Sequence, residues 1–271
     1  MKAAVVQLNA GDDVARNLDV AEALVRGAVA DGAALVVLPE NTLFMGDDDG
    51  KTAVAGDYAV GAQPVGAASA RMAALSRETG AWVLWGGVPE RRAEDERTFN
   101  AAVLLDPAGV VVARYRKIHL FDIDLPNGPV MTESRTTAPG DEVVVADTPV
   151  GRIGLSVCYD LRFPELYRAL VDRGAVALAV PAAFTATTGR AHWEVLLRAR
   201  AIESQAWVLA AAQWGAHPLG RSTWGHAMIV DPWGVVVGER PEGDGWVLAD
   251  LDPERVASVR RSLPALKHRR L

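Results

Sequence analysis

Gly154-Leu155-Ser156-Val157-Cys158-Tyr159-Asp160-Leu161-Arg162-Phe163-Pro164-Glu165-Leu166 is the stretch on which the reading of this chain turns. The apolar run 153–157 predicts a buried strand that ends at the only cysteine. A polar turn follows, and Pro164, a residue suited to the first position of a helix, opens the helical pattern 165–171. A cysteine on a tight strand-to-helix turn presents its sulfur at a strand end, where helix N-terminal amides favour the thiolate. That is a nucleophile's position, although a lone cysteine is also commonly a small buried hydrophobe. The stretch by itself leaves both roles open.

The same strand-then-helix alternation extends outward in both directions. Upstream, residues 3–8 form a short apolar run, and Asp12 or Asp13 caps a helix with Val14, Leu18, Ala21, Val25 and Ala28 on one face. Gly32 ends it, and 34–38 is a continuous apolar strand that stops at Pro39-Glu40. Residues 41–61, rich in Gly and Asp, read as a long surface loop and a candidate lid. A helix over 65–79, a strand over 82–88 and a hairpin of 98–105 with 110–115 then lead to Lys117. Residues 121–140 read as loop, and 142–146 with 151–157 as a second hairpin delivering Cys158.

Downstream, 175–180 is an apolar strand ended by Pro181, and 182–190 is a Thr-rich loop. The long helix 191–206 carries apolar residues around most of its circumference, which predicts packing on both sides. Strands follow at 207–212, 227–230, 235–237 and 246–249, then a helix over 252–261 and a short basic tail. Asp-Pro-x-Gly turns at 106–109 and 231–234 suit two halves of similar build. The pattern predicts a layered α/β protein, and 271 residues fit one large domain or two small ones.

Composition narrows the function. Half of the 271 residues are apolar, enough for a substantial core. Twenty-eight basic against 34 acidic residues give a net charge of -6, which offers no general attraction to nucleic acid or an anionic membrane. A single cysteine forms no intrachain disulfide and no Cys-based zinc site, which fits a reducing, cytoplasmic setting. No apolar run approaches a membrane span, and residues 1–9 enter a strand pattern without a signal peptide. His119, His192 and His226 are scattered without metal-ligand spacing, so each reads as a hydrogen-bonded structural histidine.

Glu40, Lys117 and Cys158 each follow an apolar strand-like run, and strand ends of one layered fold can converge on one rim. A cysteine nucleophile needs a base, which a buried carboxylate supplies, and a charged lysine stabilises a developing oxyanion. Taken singly, Glu40 could cap a turn and Lys117 could be a solvated strand end. Only their joint occurrence points to covalent catalysis.

Leu38-Pro39-Glu40, Tyr115-Arg116-Lys117-Ile118-His119-Leu120-Phe121-Asp122 and Cys158-Tyr159-Asp160-Leu161-Arg162-Phe163-Pro164-Glu165 resemble the Glu-Lys-Cys motifs of the nitrilase, or carbon-nitrogen hydrolase, superfamily. Their order and spacing agree along nearly the whole chain. The resemblance implies a four-layer α-β-β-α sandwich of the nitrilase type, pairing as a homodimer with sheets stacked across the interface. It implies Glu40 as general base, Lys117 and the backbone N–H of Tyr159 at the oxyanion, Cys158 as nucleophile and Glu133 as a supporting carboxylate; no cofactor or metal is implied. The phrase Thr187-Thr188-Gly189-Arg190-Ala191-His192-Trp193-Glu194 is similar to the branch containing omega-amidase and deaminated glutathione amidase, and the stretches 194–203, 210–217 and 225–234 are more similar to the latter. That branch implies hydrolysis of the terminal carboxamide of a small 2-oxo-acid-type substrate to carboxylate and ammonia, through a thioester. Arg162 and Thr188 match its substrate-carboxylate positions, for which a guanidinium fork and a hydroxyl are chemically suited. The alternative for Arg162 is a structural pair with Asp160 or Glu165.

Overall fold

Short, wholly apolar runs make strands that must be covered on both faces, and amphipathic helices supply the outer cover. The computed structural model describes residues 1–124 and 130–270. Its first half contains β1 (Lys2–Leu8), α1 (Val14–Ala30), β2 (Leu35–Val37), α2 (Asp48–Ala53), α3 (Ala67–Thr79), β3 (Trp82–Glu90), β4 (Thr98–Leu105), β5 (Val111–Arg116), β6 (Asp122–Asp124), β7 (Val130–Thr132) and β8 (Thr137–Ala138). The second half contains β9 (Val145–Thr148), β10 (Gly151–Leu155), α4 (Pro164–Asp172), β11 (Ala177–Ala179), α5 (Ala186–Ser204) and β12 (Trp207–Ala210). It continues with β13 (Ala212–Ala216), β14 (Ser222–Trp224), β15 (Ala227–Val230), β16 (Val236–Arg240), β17 (Gly245–Asp250) and α6 (Pro253–Ser262).

Two sheets result. The first runs β14-β13-β1-β2-β3-β4-β5, with β17 also on β1 and β8 on β4; the second runs β16-β15-β12-β11-β10-β9. β1, β2 and β3 are parallel, as are β10, β11 and β12. Side chains alternate along β1, so Ala3 and Val5 join the core shared with the second sheet, while Ala4 and Val6 join the core under α1 and α3. α4 and α5 cover the outer face of the second sheet through Leu166, Tyr167, Leu170, Trp193 and Leu197. The layers are therefore α-β-β-α. Within the first sheet β17 pairs antiparallel with β1, from Lys2 opposite Asp250 to Gln7 opposite Gly245.

α1 begins where its cap predicts. The Asp13 carboxylate accepts the N–H groups of Ala15 and Arg16, and Leu18, Ala21, Val25 and Ala28 are buried, with Val14 just outside the buried set. Four expectations need correction. Residues 41–61 are not simply a surface loop: Leu43, Phe44, Met45, Ala55 and Tyr58 are buried, and 48–53 form α2, capped by Asp47. The 121–140 loop contains the β6–β7 pair, a 3-10 turn over Glu133–Arg135 and β8; positions 125–129 lie outside the described residues. The Thr-rich segment belongs largely to α5, which starts at Ala186 because the preceding backbone at Thr185 is extended and the turn closes by Gly189 N–H to Thr185 O (2.8 Å). α5 buries one face only, leaving Val195 and Ile202 exposed.

Candidate active site

Topology brings three strand ends together. β5 is antiparallel to β4, which is antiparallel to β3, so β5 runs in the direction of β2 and ends on the same rim. Glu40 lies three residues beyond β2 and Lys117 one beyond β5. Cys158 follows the second sheet's β10 across the interface between the sheets. All three are buried, with Glu40 4%, Lys117 2% and Cys158 8% exposed.

Lys117 sits between two carboxylates. Its Nζ donates to Glu40 Oε1 (3.2 Å) and to Glu133 Oε1 and Oε2 (3.1 and 2.8 Å). Burial alone would lower the lysine pKa, but Glu133 and Glu40 push it well above the usual lysine range, so the ammonium is kept charged. Burial would likewise raise Glu133, yet the Lys117 charge, its hydrogen bond and those from Phe121 N–H (2.6 Å) and Asn100 Nδ2 (3.1 Å) hold it below the usual carboxylate range. Glu40 is fixed from both sheets: Oε1 accepts Asn100 Nδ2 (2.9 Å), Oε2 accepts Ala183 N–H (2.9 Å), and its carbonyl accepts Gln213 Nε2 (3.0 Å). Gly87, at φ +58°, permits this placement, since a Cβ there would lie 2.4 Å from Glu40 Cγ.

Cys158 occupies a 3-10 turn, Cys158–Arg162, with φ +49°, a conformation rare outside glycine, and its N–H donates to Pro181 O (2.9 Å). The Glu40 carboxylate lies near enough to the thiol to act on its ionisation. The thiolate expected from helix amides is not favoured here: burial first, then the negative charge of Glu40, pushes the thiol well above the usual cysteine range, outweighing Lys117 and the Ala183 N–H. The resting group is a neutral thiol beside a base. Next to it in the chain, the Tyr159 N–H donates to no acceptor among the described residues.

The alternative for Arg162, a pair with Asp160 or Glu165, is absent among the described residues. Its Nη1 instead meets His192 Nδ1 (3.2 Å), and its guanidinium lies 5.0 Å from the Phe184 ring centroid and 5.7 Å from that of Tyr159. Arg162 is thus a cation without a carboxylate partner. Thr188 lies one turn before His192 on α5, its hydroxyl 2.8 Å from that of Thr185, so the structure brings Arg162 to the same helix as Thr188 without direct contact between them.

Three supporting residues escaped sequence reasoning. Asn100 bridges Glu40 and Glu133 from β4. Asp160, fully buried, ties the cysteine turn to the lysine segment: Oδ2 accepts Tyr115 Oη–H (2.7 Å) and Val157 N–H (2.8 Å), and Oδ1 accepts His119 N–H (3.1 Å) and lies 2.7 Å from His119 Nδ1. Ala183 acts through its backbone, which no side-chain pattern reveals. His119 also stacks on Phe163, and His226 bonds Glu239 and stacks on Trp224. Among the described residues no group of three or more His, Cys, Asp or Glu could hold a metal ion, and no helix is long and apolar enough to cross a membrane.

The chain is similar to known proteins along nearly its whole length. The carbon-nitrogen hydrolase family model matches residues 2–261. A human deaminated glutathione amidase is 45% identical over 272 residues, covering 98% of this chain and 81% of that protein. The deaminated glutathione amidase of Synechocystis sp. is 43% identical over 270 residues, covering 98% of this chain and 97% of that protein. The crystal structure of Saccharomyces cerevisiae Nit3, a member of branch 10 of the nitrilase superfamily, matches with a TM-score of 0.87 and 30% identity, covering 100% of this chain and 97% of that one.

Proposed function

Because the chain belongs to the carbon-nitrogen hydrolase family, we propose that it hydrolyses an amide of a small 2-oxo acid through a thioester on Cys158, with deaminated glutathione as its substrate. The observation that carries this reading is a buried Cys158 thiol beside a Glu40 carboxylate that shares the Lys117 ammonium with Glu133. Glu40 accepts the thiol proton as Sγ attacks the amide carbon. Lys117 Nζ and the Tyr159 N–H receive the oxyanion. The carbon–nitrogen bond then breaks, and the leaving nitrogen takes the proton from Glu40. Water, deprotonated by Glu40, attacks the thioester; the carbon–sulfur bond breaks and the sulfur regains its proton. On a carboxamide the product is ammonia; on the γ-peptide of deaminated glutathione it is the amine of the remaining dipeptide. Glu133 keeps Lys117 charged and in place, and Arg162 with Thr188 holds the 2-oxo acid's carboxylate.

The same reading includes one hydrolase domain over 1–271, a cytoplasmic location consistent with a single reduced cysteine, and a homodimer. Exposed Val195 and Ile202 on α5, with Trp233, Val235 and Val237 exposed on the β15–β16 turn and strand, support a self-association face. Incubating the purified protein with deaminated glutathione and with a short 2-oxo-amide, with amine release and intact mass both measured, tests the function. The acyl adduct should appear on Cys158 and be absent from Cys158→Ala; amine release by Cys158→Ala would overturn the assignment.

A further inference from the structure

α2 carries a cation that the mechanism leaves unused. Lys51 lies in the last turn of α2 and is partly buried. Its segment is held in place on several sides: Asp47 caps Gly50 N–H (2.8 Å), the Phe44 ring fills the space over Gly46 and Gly50, and Arg135 Nη2, from the turn bearing Glu133, reaches Asp48 Oδ2 (2.7 Å). Arg221, just before β14, donates from Nη1 to Gly46 O (2.9 Å). These contacts set α2 against the turn bearing Glu133 and against Arg221; burial lowers the Lys51 pKa, and the charged groups acting on its ammonium are Glu133, Glu40, Arg221 and Lys117. Those two carboxylates are already engaged by Lys117, Asn100 and backbone N–H groups. Among the described residues neither Lys51 nor Arg221 forms an ion pair.

Arg162 follows the second sheet's β10, whereas Lys51 follows the first sheet's β2, so the two cations come to the site from opposite sheets. A substrate whose amide carbon sits at Cys158 and whose 2-oxo-acid carboxylate is held by Arg162 extends its amine portion toward the segment after Glu40. We propose that Lys51, with Arg221 beside it, binds a second carboxylate carried on the amine portion of the substrate, so that the site selects amides anionic at both ends. This rests on the proposed amidase reading for the placement of the first carboxylate.

The test uses Cys158→Ala protein, titrated calorimetrically with deaminated glutathione and with the same compound bearing a C-terminal carboxamide in place of its carboxylate. The carboxylate should bind at least about tenfold more tightly, as expected for a charge-assisted contact. In C158A/K51M and C158A/K51Q that ratio should fall to within about threefold, with circular dichroism and thermal unfolding confirming the fold. A ratio near one before the Lys51 change, a ratio left intact by it, equal weakening of both compounds, or no binding of either overturns the proposal. Hydrolysis of the two compounds by the wild-type protein reads the amidase assignment separately.

Discussion

Gly87→Ala should abolish most of the activity without unfolding the protein. Gly87 has φ +58°, and a Cβ built there lies 2.4 Å from Glu40 Cγ, 2.9 Å from Glu40 Cα and 3.0 Å from Asn100 Oδ1. Carbon atoms pack comfortably at about 3.5–4.0 Å, so Glu40 must retreat by roughly 1 Å. A displacement of about that size in a reacting group costs on the order of 10²-fold in rate. The left-handed backbone adds about 1–2 kcal/mol of instability for any residue with a side chain. Gly61 separates the two effects, because its φ is +84° and nothing lies within 4 Å of its added Cβ. Gly61→Ala should therefore lower the melting temperature by several degrees, at about 2–4 °C per kcal/mol, and leave activity intact. Gly87→Ala should lose at least as much stability and about a hundredfold in kcat/KM, measured by amine release. If Gly87→Ala stayed within threefold of wild type while losing stability like Gly61→Ala, Glu40 would not depend on this close approach.

Lys117→Met leaves the Glu40 and Glu133 carboxylates without their shared cation and removes an oxyanion donor, so kcat should fall by about 10²–10³-fold; near-normal turnover would exclude that role. The elevated thiol of Cys158 predicts slow iodoacetamide alkylation at neutral pH, with a rate still climbing above the usual cysteine range; a plateau near neutrality would mean a pre-formed thiolate. Glu133 has its folded-state pKa depressed, so its contribution to stability is complete above the unfolded value near 4.3 and is lost as pH falls through the lower folded value. The difference in urea unfolding between wild type and Glu133→Gln should accordingly shrink between about pH 7 and about pH 3, and a constant gap would contradict it. Asp160→Ala strips the acceptor from the Tyr115 hydroxyl and the Val157 and His119 N–H groups in a fully buried site. At about 1–3 kcal/mol for each buried group left unpaired, the loss in denaturant unfolding should exceed about 3 kcal/mol, whereas a change under about 1 kcal/mol would deny Asp160 its bridging role.

The layered fold was legible because its strands are wholly apolar and its helices amphipathic, and the reactive groups because each stands just past such a strand. Asn100 was hidden in β4, where every residue is buried and only the pairing with β3 and β5 decides which side chains reach Glu40. Asp160 lay in plain view beside the cysteine, but its four partners come from three separate points of the chain. α2 is six residues long, too short for periodicity to show, although Asp47 followed by Asp48 and Asp49 is the acid-rich start that a helix N-terminus favours. The length of α5 was underread because its first turn is written in Thr and Gly, residues that alone suggest a loop. The thiol's ionisation is not legible locally for a different reason: the strand-turn pattern reveals the nearby amides but not the depth of burial or the carboxylate brought in from 118 positions away, at Glu40.

The pairing of β1 with β17 also sets the order in which the molecule can be completed during synthesis. Glu40, Lys117 and Cys158 have all been made when residue 158 is in place, yet β1, the strand beside β2, keeps an open edge until 245–250 arrive to close it. That edge is apolar from Ala3 to Val6 and stays available to a neighbouring chain in the meantime. A polypeptide stopped short of β17 is thus expected to aggregate with its reactive groups already present but unsupported. β17, made some 240 residues after β1, is the strand that covers this edge.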